Sequence, residues 1–306
     1  MVTISEAGLS GGATAGGGQG GGFRRVAILG TGMLGGSLAA ALRDCLPGIE
    51  RIAYGVEPDL SQAMALGLFD RKAATVAEAV AGADLVVLAA PISVNCALMP
   101  DVAAHLSSEA VLTDVSSVKG GIEAAWRQAA GGRAGLLSRF VASHPIAGSE
   151  KAGPDAGSAK LFDGRSVVLS ALPESSPEII ERLAALWQCL GARIDRMSVA
   201  DHDRVFAQVS HWPHAMAFAL AAAIAADQGA PPAGAHAGSG LLDMTRIAAS
   251  SPSLWADILL HNREQSLKAA DAAREQWLAV EAALRDGDRE RLTALFCLGA
   301  EWRRQY

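Results

Sequence analysis

The sequence predicts an α/β protein: a doubly wound parallel sheet followed by an all-helical C-terminal half. Three observations lead there. Short, continuously apolar runs alternate with helical stretches from Arg25 to Ile194, the pattern of strands buried on both faces with crossover helices between them. Beyond Met197 the strand signals stop. Half of the 306 residues are hydrophobic and only 19% are charged, enough apolar material for a large core and too much for global disorder. On a prior of roughly 150 residues per domain, this length fits two domains.

Residues 11–22 read GGATAGGGQGGG, a segment with nothing to bury and maximal backbone entropy to lose, so residues 1–22 are expected to form a disordered tail. The sheet domain is expected over residues 23–197. Its strands are Val26–Leu29, Arg51–Val56, Asp84–Ala89, Ala110–Asp114, Phe140–Ser143, Ser166–Ser170 and Ala192–Ile194, with helices such as Leu34–Arg43, Leu60–Leu66 and Pro177–Cys189 between them. Parallel pairing requires right-handed crossovers. The helical domain is expected over residues 198–306. Ser198-Val-Ala-Asp201 resembles a capping box and opens a helix running toward Ala226. Further helices are expected at Ser239–Ala249, Ser253–Arg285 and Arg289–Arg304, the second of these started by Ser251-Pro252.

The net charge of −6, with no basic stripe, argues against a nucleic-acid partner, and no block of like charge suggests an anionic membrane. The apolar run Ala215–Ala226 is shorter than the ~17–25 residues of a membrane span. Cys45, Cys96, Cys189 and Cys297 are widely spaced, which points to reduced thiols rather than a zinc or disulfide framework. No apolar segment precedes Arg24, so no secretory signal is expected. A soluble cytoplasmic protein is the expectation.

A strand, a glycine loop and a helix follow one another in Val26-Ala-Ile-Leu-Gly30-Thr-Gly32-Met33-Leu34-Gly35-Gly36-Ser37. In such a GxGxxG loop Gly30 makes the tight turn, Gly32 admits a pyrophosphate to the backbone, and Gly35 permits close helix–strand contact. The amides of Met33 and Leu34, at the helix start, face the phosphates. A second strand leads to Glu57, 22 residues after Gly35, where a carboxylate accepts both ribose hydroxyls of NAD and repels the 2′-phosphate of NADP. Ala90 and Pro91 end the next strand at the edge where ligands lie in open α/β sheets. The sheet half is therefore of the Rossmann type, with NAD as its cofactor.

Four more segments gather polar residues: Thr113-Asp-Val-Ser-Ser117-Val-Lys119-Gly, Ser143-His144-Pro-Ile-Ala-Gly148-Ser-Glu150, Ser210-His211-Trp-Pro213-His214, and Asp243-Met-Thr-Arg246-Ile-Ala. With the glycine loop these five motifs, in this order and spacing, resemble the prephenate/arogenate dehydrogenase family of tyrosine biosynthesis, over about Val26 to Trp255. The resemblance implies that NAD+ takes a hydride from the carbinol carbon of a cyclohexadienyl ring while the ring carboxylate leaves as CO2. Prephenate would give 4-hydroxyphenylpyruvate; arogenate would give tyrosine. It also implies that His144 accepts the hydroxyl proton and that Ser117 hydrogen-bonds the same hydroxyl. A neutral imidazole suits the task because its ordinary pKa is about 6.5. Arg246 is expected to clamp a substrate carboxylate, Asp243 to orient its neighbours, and His214 to face the substrate's side chain. Pro213, near a helix start, is expected to kink the backbone and free a carbonyl.

His211 and His214 stand three residues apart but lack a third ligand, so no metal is expected. His105, His202, His236 and His261 read as incidental, His202 as a solvated residue at a helix start. One rival is a 3-hydroxyacid dehydrogenase of the 6-phosphogluconate type, which resembles a lysine-based catalyst; the helix after Ser198 contains no lysine. Another is a catalytically silent NAD-sensing module. The apolar positions of Leu254–Leu284, including Ile258, Leu259, Trp277 and Val280, exceed what a small helical domain covers alone, so a homodimer is expected.

Overall fold

The computed structural model describes residues 19–148, 152–227, 229 and 232–306. The first eighteen residues of the expected tail, and Ser149 and Glu150 of the Ser143–Glu150 motif, lie outside the described residues. The tail expectation ends too late. Gln19–Gly22 form a 3-10 turn in which Gly20, Gly21 and Gly22 all take φ near +70°, and the Gly21 carbonyl accepts from Arg182 Nε at 3.1 Å.

The sheet half runs β1 (Arg25–Leu29), α1 (Met33–Cys45), β2 (Glu50–Tyr54), α2 (Asp59–Ala65), β3 (Arg71–Lys72), α3 (Val76–Val80), β4 (Leu85–Leu88), α4 (Ile92–His105), β5 (Val111–Asp114), α5 (Gly120–Ala130), α6 (Ala134–Leu137), β6 (Val141–Pro145), β7 (Ser166–Ala171), α7 (Pro177–Cys189) and β8 (Arg193–Arg196). β3-β2-β1-β4-β5 form one parallel sheet, and a bridge between Leu112 and Phe140 carries the parallel direction on to the start of β6. One core lies on the α1, α2 and α7 face, with Leu38, Leu42, Leu183 and Trp187 buried in it; the other packs α3, α4 and α5 through Val80, Met99, Ile122 and Trp126. Strands buried on both faces explain the unbroken apolar runs.

Two expectations about strands change. β6 and β7 pair antiparallel, in register His144 with Val168, while β7 and β8 are parallel. The chain from residue 146 to 165 carries only a 3-10 turn, Pro154–Ala156, among its described residues, and without a crossover helix the chain reverses direction. β3, two residues long, has no pattern to detect.

The helical half contains α8 (Val199–Phe206), α9 (Trp212–Ala225), α10 (Ser239–Thr245), α11 (Pro252–His261), α12 (Arg263–Arg285) and α13 (Arg289–Arg303). Ser198 caps α8, its side chain accepting from the Asp201 amide. α8 and α9 join through a π-turn, Ala207–His211, directly before Pro213, which has no N–H to give to the preceding turn. The expected helix over Ser253–Arg285 is two helices. It breaks at Asn262, whose Nδ2 donates to the Asp203 carbonyl at 2.8 Å and contacts His211 Nδ1 at 3.0 Å. Among the described residues no helix is long and apolar enough to cross a membrane.

Candidate active site

Strand order reverses between β1 and β4, so their C-terminal ends part and leave a crevice. Gly30 leaves β1 with φ +118°, and a Cβ there would press into the Ala89–Ala90 backbone. A Cβ at Gly35 would collide with the Gly30 carbonyl. Gly32 differs: φ is −68°, and the nearest protein atom to a Cβ would be Asp59 Oδ2, 3.8 Å away. Two of the three glycines are thus required by the fold, and the third keeps a space open. α1 starts at that space without a side-chain cap, so its first turn presents amides and the positive end of the helix dipole. Thr31 Oγ1, buried in the same loop, has no hydrogen-bond partner among the described residues. An open cradle, a helix start and an unsatisfied hydroxyl fit a dinucleotide.

Glu57 is exposed beyond β2, its Oε2 accepting from the Ser61 amide at 3.0 Å; the Ser61 side chain, and then this amide, lower its pKa. Ala90 follows β4, and Pro91 caps α4. Asn95 fixes this corner: its Oδ1 accepts from the Ala90 amide at 3.1 Å, and its Nδ2 donates to the Ala90 carbonyl at 2.8 Å and Ser116 Oγ at 3.0 Å.

His144 sits on β6, buried, with its Nδ1 2.8 Å from His202 Nε2. The Phe206 ring lies against both imidazoles, at 4.7 and 4.4 Å between centroids. Burial holds His144 well below the ordinary imidazole value, and the neighbouring His202, Lys119 and His211 act in the same direction. His202 is not the solvated residue its position at a helix start suggested. It is fully buried, and its Nδ1 is 2.8 Å from Asp203 Oδ1. Asp203 in turn accepts from the Lys119 and Gly120 amides, both at 2.8 Å, at the start of α5. Burial raises its carboxyl, but the His202 and backbone hydrogen bonds outweigh that and hold it low.

Behind His144 lies a second buried group. Lys119 Nζ is 2.5 Å from Asp114 Oδ2 and 2.6 Å from the Ser143 carbonyl, with both side chains of the ion pair inaccessible. Ser143 Oγ shares a hydrogen bond with Thr113 and accepts from Trp187 Nε1. These contacts tie β5 to β6 and set the strand that carries His144. None of Lys119, Asp114, His202 and Asp203 was assigned a role from sequence, although the helix face repeating His202 and Asp203 with Phe206 and Ala207 was visible in it.

Ser117 is half-buried, and its hydroxyl makes no hydrogen bond among the described residues, to His144 or otherwise. His214 is half-buried on α9, stacked on Trp255 at 3.4 Å between centroids, with Nδ1 2.8 Å from the Ser210 carbonyl. Burial lowers its pKa, the hydrogen bond to the Ser210 carbonyl opposes this, and the charge of Arg246 acts in the same direction as burial. Arg246 is exposed at the end of α10 and forms no ion pair among the described residues, so it is available to an anion. Asp243 is exposed, and its side chain makes no hydrogen bond or ion pair among them, so no contact supports its orienting role. Among the described residues, no group of three or more His, Cys, Asp or Glu side chains is arranged to hold a metal ion.

Residues 38–196 match the family model "Prephenate dehydrogenase, nucleotide-binding domain", and residues 198–298 match "Prephenate dehydrogenase, dimerization domain". The cyclohexadienyl dehydrogenase of Zymomonas mobilis is 32% identical over 87% of this chain and 91% of its own length; the prephenate dehydrogenase of Bacillus subtilis is 29% identical over 91% and 75%. The structure of Aquifex aeolicus prephenate dehydrogenase in complex with hydroxyphenyl propionate and NAD+ is 29% identical, with a TM-score of 0.83 over 92% of this chain and 98% of that one. A Synechocystis arogenate dehydrogenase gives 27%, 0.76, 92% and 99%. The His144 strand and the helical half to residue 298 fall within the residues the family models match, and the chain belongs to the prephenate dehydrogenase family.

Proposed function

We propose that this protein oxidatively decarboxylates prephenate to 4-hydroxyphenylpyruvate, with NAD+ as oxidant, in tyrosine biosynthesis; arogenate is the alternative substrate. The observation that carries this reading is a buried imidazole, His144, kept neutral on β6, the strand that runs on from the β5 edge of the parallel sheet whose β1 leads into the glycine cradle. Family membership supplies the substrate class. When bound, NAD+ supplies the hydride acceptor. The open space at Gly32, the first-turn amides at Met33, Leu34 and Gly35, and the Ala90-Pro91 corner would hold it. Glu57 would take the ribose hydroxyls and disfavour a 2′-phosphate.

His144 accepts the ring hydroxyl proton as the carbonyl forms, and Ser117, whose hydroxyl has no partner among the described residues, hydrogen-bonds the same oxygen. Arg246 pairs with a substrate carboxylate, while His214, held flat by Trp255, faces the side chain. Proton acceptance of this kind contributes roughly 10²–10⁴ in rate. The lysine-based alternative gains nothing: α8 has no lysine, and Lys119 is committed to Asp114 and the Ser143 carbonyl. The rival without chemistry would not need a buried neutral imidazole at this place.

The helical half leaves Leu267, Trp277, Leu284, Phe296, Leu298 and Trp302 exposed on α12 and α13, most of them by 60% or more. A symmetric second copy would cover them, making the protein a homodimer. We place it in the cytoplasm, with the cofactor domain at 23–197 and the substrate and dimerisation domain at 198–306. Steady-state NADH formation with prephenate and with arogenate tests the function. A kcat/KM clearly higher for prephenate is expected; no turnover of either ring acid would refute it.

A further inference from the structure

The mechanism above uses only one of the three groups joined in line at its centre. His144 Nδ1, His202 Nε2, His202 Nδ1 and Asp203 Oδ1 form two consecutive 2.8 Å contacts, and all three residues are buried. From this geometry we infer that His202, backed by Asp203, is the positioning residue that fixes the tautomer and orientation of the His144 base. The inference rests on the assignment of His144 as proton acceptor.

Hydrogen-bond accounting carries the argument. Asp203 is an acceptor whose Oδ1 and Oδ2 already take the Lys119 and Gly120 amides, so it stays a carboxylate and His202 Nδ1 must donate to it. A neutral His202 then has a bare Nε2, which can only accept. His144 must therefore carry its proton on Nδ1 and donate it to His202, which leaves His144 Nε2 unprotonated. Without His202, nothing selects that tautomer, and the other one points a useless N–H at the substrate hydroxyl. When the hydroxyl proton arrives on Nε2, the imidazolium stays hydrogen-bonded through Nδ1–H, with the Asp203 charge one ring away. Asp203 is itself held by the start of α5 and by Asn262, whose Nδ2 donates to the Asp203 carbonyl, so the line is anchored to both domains. Lys119 and Asp114, the other charged groups facing His202, neutralise each other in their own pair.

Two substitutions of similar size separate this role from packing. His202→Gln keeps an amide oxygen able to accept the Nδ1 proton; His202→Met does not. In full-length dimeric enzyme, His202→Met is expected to lower kcat about 10²-fold with KM for NAD+ unchanged, and His202→Gln to retain at least a tenth of wild-type kcat. Wild-type kcat in His202→Met would overturn the inference. So would His202→Gln, folded by circular dichroism, falling as far as His202→Met or as His144→Asn; this arm decides even if the Met variant does not fold. His144→Asn is the control for the premise: if it turns over normally, the proton acceptor has been misassigned, whatever His202 does.

Discussion

Replacing Gly32 by alanine should separate cofactor binding from folding, which few glycine substitutions do. The residue has φ −68° and ψ −162°, a conformation alanine adopts without strain, and its Cβ would have no protein atom nearer than 3.8 Å. Loss of chain entropy in the unfolded state should leave stability unchanged or raise it by about 0.4–1 kcal/mol. The methyl group, however, would occupy the space through which a pyrophosphate reaches the helix amides. Losing one charge-assisted hydrogen bond of about 1.5–3 kcal/mol corresponds to a roughly 10- to 150-fold rise in Kd for NAD+. Gly35→Ala provides the contrast, because its Cβ runs into the Gly30 carbonyl and the helix must move off the strand. A cost of at least 1–3 kcal/mol is expected there, seen as a lower melting temperature without ligand. Calorimetric titration with NAD+ and thermal melts of the apo proteins measure both quantities. If Gly32→Ala binds NAD+ like wild type, or melts as early as Gly35→Ala, the cradle has been misread.

Three further outcomes are expected. His144→Asn should keep NAD+ affinity and lower kcat by roughly 10² or more, checked by titration and initial rates above pH 7. Arg246→Ala should raise KM for prephenate at least tenfold with a smaller change in kcat, since an exposed, unpaired cation is lost and the base remains; an unchanged KM would move the carboxylate site elsewhere. Stability should fall as pH drops below about 6.5, because His144, His202 and His211 are all buried with lowered pKa values, that of His211 to about 4, and the unfolded chain binds their protons first. For His211 alone the loss amounts to roughly 3 kcal/mol between pH 6.5 and 4; urea midpoints that stay flat from pH 7 to 5 would contradict it.

The parts of this protein that obey local rules were readable in advance. Val26–Leu29 and Leu85–Ala89 are apolar throughout because both faces of the sheet are covered, and the strand–glycine–helix order is written in the sequence itself. Groups whose role depends on a distant partner were harder. His202 and Asp203 open a helix, where polar residues are ordinary, and only β6 and the start of α5 turn them into a buried line behind His144. Asn262 interrupts a helix of good periodicity because its side chain is recruited by the Asp203 carbonyl and His211, neither of which is near it in sequence. The antiparallel β6–β7 pair escaped because a strand's apolar run does not record its direction.

The reaction joins hydride transfer to loss of CO2 on one ring. It is tested most directly by measuring NADH and CO2 together from limiting prephenate. One mole of each per mole of prephenate, with 4-hydroxyphenylpyruvate as product, is the predicted result. NADH without CO2, or no NADH at all, would contradict it.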